Sequence, residues 1–157
     1  MIKKQFGFKE KHSTYMAILD LVDKISQTND WKNYSMSNFI DLSKAFDTIN
    51  HKILNDKLEY YGIRGVALQW FIRYLSKRSQ YVQIGDICSN YLHLICWVPQ
   101  GSILGPLLFL VYINDIVNVS ALVDFLVFAD YTDLFISSHS LESLCVTANT
   151  VLTKLAK

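Results

Sequence analysis

The stretch LVFADYTDLF, residues 126–135, decides how this chain folds. Two apolar runs flank a short polar centre, the pattern of strand, tight turn and strand, with Asp130 and Tyr131 expected at the tip. A hairpin here holds a carboxylate at the end of two apolar strands. Upstream, YSMSNFIDL (residues 34–42) alternates well enough to be a strand and ends near a second carboxylate, Asp41. Two strand-end acids nearly ninety residues apart raise the question of whether the fold brings them together.

Around these strands the periodicity is mostly helical. Lys11–Ser26 spaces Met16, Leu19, Val22 and Ile25 as an apolar stripe behind Ser13, a suitable N-cap, and the polar run QTNDWKN is expected to end it. Helical patterns follow at about 51–61 and 66–75, separated by YGIRG, whose Gly62 suits a C-cap. QYVQIG and NYLHLIC read as short strands joined through DICS. Residues 103–117 are helical, with Pro106 in the first turn where its missing N–H costs nothing, and 140–157 are amphipathic. Helix, strand, two helices, hairpin, helix, hairpin, helix is an α+β order, with a mainly antiparallel sheet covered by helices on one face.

Composition excludes several classes. Half of the 157 residues are hydrophobic and 18% are charged, too few charges for a disordered chain. The longest apolar run, 103–113, is interrupted by Gly105 and Pro106 and falls short of the roughly 20 residues of a membrane span. The N-terminus MIKKQFGFKE lacks the apolar core of a secretory signal, so an intracellular location is expected. Cys88, Cys96 and Cys145 form no C-x-x-C pair and suit a reducing compartment as small buried apolar residues. The histidines, at 12, 51, 93 and 139, have no ligand spacing. A net charge of +1 is low for a nucleic-acid binder, although Arg73, Lys77 and Arg78 cluster at a helix end.

If neighbouring strands carry Asp41 and Asp130, the two carboxylates supply hard oxygen ligands of the kind that hold Mg²⁺ in phosphoryl transfer. The alternative is that Asp41 caps a turn and Asp130 fills a hairpin bend, both ordinary uses of aspartate.

Four motifs weigh on that choice. FIDLSKAFDTINH (39–51) resembles the first palm motif of reverse transcriptases from non-LTR, LINE-type retrotransposons. VPQGSILGPLLFLVYINDI (98–116) resembles their second, FADYTDLF (128–135) their third, and QFGFKEKHST (5–14) the lead-in to the palm. The resemblance implies a partial reverse transcriptase domain over 1–157, with 1–35 leading into a palm core at 36–157 and with the thumb and most of the fingers absent. It implies RNA-templated DNA synthesis, with an RNA template, a DNA primer and deoxynucleotides as partners and Mg²⁺ as cofactor. Asp41 and Asp130 match the catalytic metal-binding pair. Phe46 matches the bulky residue beneath the incoming sugar, and Gln100 and Gly101 match the turn that touches template base and nucleotide. Gly101 permits close backbone approach, and Gln100 offers a donor and an acceptor. Asp47, Asn50 and His51 also match, and a structural role is expected for them, bonding turn backbone.

The chain departs from the family at three points. The third motif normally carries two adjacent aspartates, and the second is Tyr131 here. A phenol with pKa about 10 is neutral at pH 7 and a poor Mg²⁺ ligand. Asp133 lies two residues further, displaced by about 6.6 Å along a strand, too far to replace it. Trp97 stands where the family has glycine, crowding or displacing the following turn. The third departure is the missing basic and duplex-gripping segments. A catalytically inactive fragment with weakened Mg²⁺ binding is therefore expected. The alternatives are a non-catalytic nucleic-acid-binding module and a protein-interaction module, with nonspecific self-association through apolar surface.

Overall fold

The computed structural model describes residues 4–42, 44–76, 78–94, 96–99 and 101–156. Gln100 and Lys77 lie outside the described residues. The chain divides into two compact units, one of Met1–Ser43 with Ile113–Lys157 and one of Lys44–Tyr112.

The first unit is built on a three-stranded antiparallel sheet. Strand β1 (Tyr34–Asp41) pairs with β7 (Tyr131–Ser138), and β7 pairs with β6 (Asp124–Phe128). Alternation sends Met36, Ile40, Phe125, Val127, Leu134 and Ile136 to one face, where they pack with Leu144, Ala148 and Val151 of helix α5 (Leu141–Leu155). Full burial of each large side chain contributes about 1.5–3 kcal/mol. Ser140 caps α5, its hydroxyl accepting from the Ser143 N–H. The antiparallel pairing is that expected of the α+β sequence order, but the expected single covered face is not found: Leu126 and Phe135 are buried on the face away from α5, so helices cover both faces of the sheet.

Helix α1 (Thr14–Asp30) lies on the opposite face, and Ser13 caps it as expected. It runs four residues beyond the expected end at Ser26. QTND contains no Gly or Pro, and the Thr28 hydroxyl donates to the Lys24 carbonyl inside the helix. The side that meets the sheet carries Ala17 and Leu21, with Lys24 ion-paired to Asp124. The expected apolar stripe of Met16, Leu19, Val22 and Ile25 is exposed instead. The helix is apolar over more than one stripe, and a single sheet face covers only one.

The hairpin tip also differs from the sequence reading. Phe128 and Tyr131 are paired, so the two-residue turn is Ala129-Asp130 and Tyr131 opens β7. Ala129 takes the left-handed region (φ 56°), which hairpin turns of this length require and alanine rarely adopts.

In the second unit, α2 (His51–Tyr60) starts on Asn50, whose side-chain Oδ1 accepts from the N–H groups of Lys52 and Ile53. It ends at Gly62 (φ 92°), where Gly62 donates to Glu59 and Ile63 to Leu58. Helix α3 (Gly65–Leu75) follows. The hairpin placed by the sequence at 80–96 is a nested pair. Strand β2 (Arg78–Gln80) pairs with β5 (Leu92–Leu94), and β3 (Gln83–Ile84) pairs with β4 (Ile87–Cys88). The turn is Gly85-Asp86 rather than DICS, because Gly85 supplies the positive φ (59°). An extra residue on the returning strand is absorbed where the Ser89 hydroxyl accepts from the Val82 N–H and the Ser89 N–H donates to the Val82 carbonyl. Helix α4 (Leu104–Ile113) stops short of the expected Val117, and Ile116–Val119 forms a 3₁₀ turn.

The cysteines correct a further expectation. Cys88 and Cys145 are exposed and Cys96 is partly buried, all three as free thiols. Cys145 follows the buried Leu144 and so points off the core face of α5, and Cys88 sits in an exposed hairpin. Among the described residues no helix is long and apolar enough to cross a membrane.

Candidate functional site

Strand register settles how Asp41 and Asp130 are related. Asp41 is paired with Tyr131, the residue after Asp130. A paired Cα separation of about 4.5–5.5 Å plus one chain step of about 3.8 Å keeps the Asp41 and Asp130 Cα atoms within about 9 Å. The Leu42 N–H donates to the Asp130 carbonyl (3.3 Å), which extends the ladder one step beyond β1 and ties both acids to one sheet end. Asp41 is exposed and Asp130 is half-buried. Paired residues share a face, so the Tyr131 side chain, 59% exposed, stands beside that of Asp41 on the α1 face.

The tip is held from beneath by residues that the sequence reading did not single out. The N-terminal segment adds a short parallel pairing to the free edge of β6. Phe6 N–H donates to the Val127 carbonyl (2.8 Å) and Val127 N–H to the Lys4 carbonyl (2.9 Å). Gln5, 1% exposed, accepts through Oε1 from the Gly7 N–H (2.7 Å) and the Ala129 N–H (3.3 Å). One buried side-chain oxygen thus organises both the incoming segment and the first turn residue. Gly7 is required by contact, since a Cβ there would lie 2.1 Å from the Ala129 nitrogen. A Gln-x-Gly lead-in has no periodicity that announces such a role.

Asp133 shares the face of Tyr131 and is buried at 7% exposure, lining an apolar groove of about 140 Å³ between α1 and the sheet. Its Oδ2 accepts from the Ser37 hydroxyl (2.8 Å), and its Oδ1 has no hydrogen-bond partner. Burial pushes its carboxyl above the ordinary value, partly offset by Ser37, the Leu134 N–H and the charge of Lys24. A carboxyl turned into the groove and bonded to Ser37 is a structural group, not a substitute at the sheet end.

Phe46 and Gly101 belong to the second unit. The Phe46 ring is half-buried, 5.0 Å from that of Phe109, and the Phe46 carbonyl accepts from the Val98 N–H (2.9 Å). Residues 46–51 therefore run beside 96–98, joined also by the Trp97 N–H to the Ile49 carbonyl and by His51 Nε2 to the Trp97 carbonyl (2.6 Å). Asn50 and His51 serve backbone, one as helix cap and one as this tie. Gly101 is exposed at φ 80°, and a Cβ there would meet nothing within 4 Å, so among protein atoms its φ alone demands glycine. Gly105 is the sterically constrained residue of that motif. A Cβ on it would lie 2.7 Å from the Pro99 carbonyl oxygen, and its N–H donates to the Ser102 hydroxyl (3.0 Å).

Mg²⁺ takes near-octahedral oxygen ligation, which two carboxylates supply only in part. Among the described residues no group of three His, Cys, Asp or Glu side chains could hold an ion. Asp41 and Asp130 could supply part of the oxygen set of a Mg²⁺ site, and the Tyr131 phenol adds no carboxylate to it.

All residues, 1–157, match the family described as "Reverse transcriptase (RNA-dependent DNA polymerase)". The "Probable RNA-directed DNA polymerase from transposon BS" of Drosophila melanogaster is 36% identical over 118 residues, 71% of this chain and 12% of the relative. The corresponding protein "from transposon X-element" of the same fly is 33% identical over 117 residues, 71% of this chain and 12% of the relative. The "RNA-directed DNA polymerase from mobile element jockey" of Drosophila melanogaster is 26% identical over 148 residues, 92% of this chain and 15% of the relative. The chain thus spans about an eighth of the length of the first two relatives and slightly more of the third.

Proposed function

This chain belongs to the reverse transcriptase family, and from that premise we propose that it is the palm portion of a non-LTR retrotransposon polymerase whose metal site has lost one carboxylate and its catalysis. The observation that carries the reading is the register of Asp41 against Tyr131. It leaves the two retained acids at one sheet end, with the phenol standing where a further carboxylate would complete the ligand set. Asp41 and Asp130 are the retained metal ligands, and Mg²⁺, when bound, would supply positive charge to the phosphates of a deoxynucleotide. In the proposal Phe46 lies beneath the sugar, and Gln100 and Gly101 meet the template base and nucleotide. The intact polymerase would extend a DNA primer on an RNA template, and this fragment does not.

The test is Mg²⁺ titration by calorimetry together with primer extension on an RNA template, for the chain as given and for Tyr131→Asp. The substitution adds a hard anionic oxygen beside Asp130, so Mg²⁺ binding is expected to strengthen. Extension is expected to stay absent, because positioning of primer and nucleotide supplies much of the rate. Extension by the unsubstituted chain refutes the inactive site. Failure of both chains to bind Mg²⁺ refutes the assignment of Asp41 and Asp130 as a metal pair.

A further inference from the structure

The second unit carries a surface that the carboxylate pair does not explain. Trp70, Tyr74 and Arg78 follow one another at four-residue steps, along α3 and just past its end. The Trp70 and Tyr74 rings are stacked, with centroids 5.3 Å apart and planes within 11°. The Arg78 guanidinium lies 5.3 Å over the opposite end of this pair, on the Tyr74 ring, and its Nε donates to the Tyr74 carbonyl (3.2 Å). Phe71 meets Trp70 edge-on at 5.1 Å, fixing the indole from the side. Trp70 is nonetheless 51% exposed. The result is a pre-ordered ladder of ring, ring and cation with an indole open to solvent.

The charge around it is one-sided. Between residues 61 and 98 the sequence holds Arg64, Arg73, Lys77 and Arg78 against a single acid, Asp86. That segment is formally +3, and the rest of the chain is −2 within a net charge of +1. The low total conceals a segregated basic segment on the unit that bears the aromatic ladder.

We propose that the Trp70–Tyr74–Arg78 ladder is a binding platform for single-stranded nucleic acid, one base stacking on the open indole while Arg73 and Arg78 draw the flanking phosphates. Each base has a π face that an ordered aromatic ring can meet, and cations beside such rings track the backbone. A duplex hides its base faces within its own stack, so the platform selects single strands. The choice of nucleic acid as occupant rests on the polymerase reading above, but the surface uses no residue of the carboxylate pair.

The test is fluorescence anisotropy with labelled oligo(U), oligo(dT) and a duplex of equal length over a salt series, for the chain as given, Trp70→Leu, Trp70→Phe and Arg78→Gln. Trp70→Leu is expected to weaken single-strand binding about tenfold, with Trp70→Phe close to the parent and the duplex bound more weakly throughout. Arg78→Gln should flatten the salt dependence by about one phosphate contact. In a Trp31→Phe, Trp97→Phe background the remaining indole emission should be quenched by oligo(dT), a readout that does not depend on the leucine variant folding. Unchanged binding by Trp70→Leu, preference for duplex, an unquenched indole, or no single-strand binding by the parent each overturns the platform. None of these results touches the Mg²⁺ titration, so failure here is distinguishable from failure of the metal-pair reading.

Discussion

Gly7→Ala is expected to loosen the hairpin tip that carries Asp130, at a cost that follows from local geometry. A Cβ on residue 7 would lie 2.1 Å from the Ala129 nitrogen and 2.8 Å from its Cα, both backbone atoms that no rotamer change can remove. Restoring ordinary contact requires the turn or the N-terminal segment to shift by about 1 Å in a close-packed region. That shift stretches the two bonds to Gln5 Oε1, at 2.7 and 3.3 Å, and strands a buried acceptor. Leaving such a group unpaired costs about 1–3 kcal/mol, and strain in the Phe6 to Val127 pairing adds to it. Reduced freedom of the unfolded chain returns about 0.4–1 kcal/mol. The net loss is about 1–3 kcal/mol, or a melting temperature lower by about 2–12 °C at this size. Urea and thermal unfolding followed by circular dichroism measure it, with amide exchange at Ala129 reporting on the tip. Gly62→Ala is the control. Its Cβ would meet nothing within 4 Å, so only the φ of 92° is penalised, at about 1–2 kcal/mol. A Gly7→Ala protein within 0.5 kcal/mol of the parent refutes the argument that this contact fixes the turn.

Further outcomes follow from other parts of the fold. Asp133 has a raised carboxyl pKa, so the folded state holds its proton more tightly than the unfolded chain. Its contribution is fully present below the ordinary 3.8 and is lost as pH rises through the folded value. Asp133→Asn should therefore raise the urea midpoint at pH 7 and change it much less at pH 3.5, and a lowered midpoint at pH 7 would show that attraction to Lys24 prevails. Asn50→Ala removes the cap of two α2 N–H groups and should cost about 1 kcal/mol by the same assay, with Asn50→Asp close to neutral. The outward stripe of Met16, Leu19, Val22 and Ile25 should drive self-association and binding of a hydrophobic dye. Val22→Glu with Ile25→Lys should reduce both, and a parent that sediments as a monomer at high concentration without binding dye counts against this.

Much of the fold was legible because local chemistry set it. Ser13 and Asn50 serve helix starts through side-chain oxygens, and Gly62 marks a helix end through positive φ. The misses share a cause. The polar run QTND looks like a break, yet it continues α1 to Asp30, with the Thr28 hydroxyl bonded to the Lys24 carbonyl of the same helix. The outward stripe of α1 and the exposed Cys88 and Cys145 were expected to be buried, because periodicity identifies an apolar surface but not which neighbour covers it.

By itself the sequence determined the α+β class, the reverse transcriptase motifs and the strand-end positions of Asp41 and Asp130. Each of these resides in residue order and short-range spacing. Only the tertiary structure decided that β1 lies against β7 in the register setting Asp41 opposite Tyr131, and that Gln5 and Gly7 brace the turn from more than a hundred residues away. Strand pairing is a long-range choice among registers that local propensity does not rank. Burial of the Phe125, Leu134 and Ile136 face against α5 is what selects one, since a one-residue slip would send those side chains to the other side of the sheet.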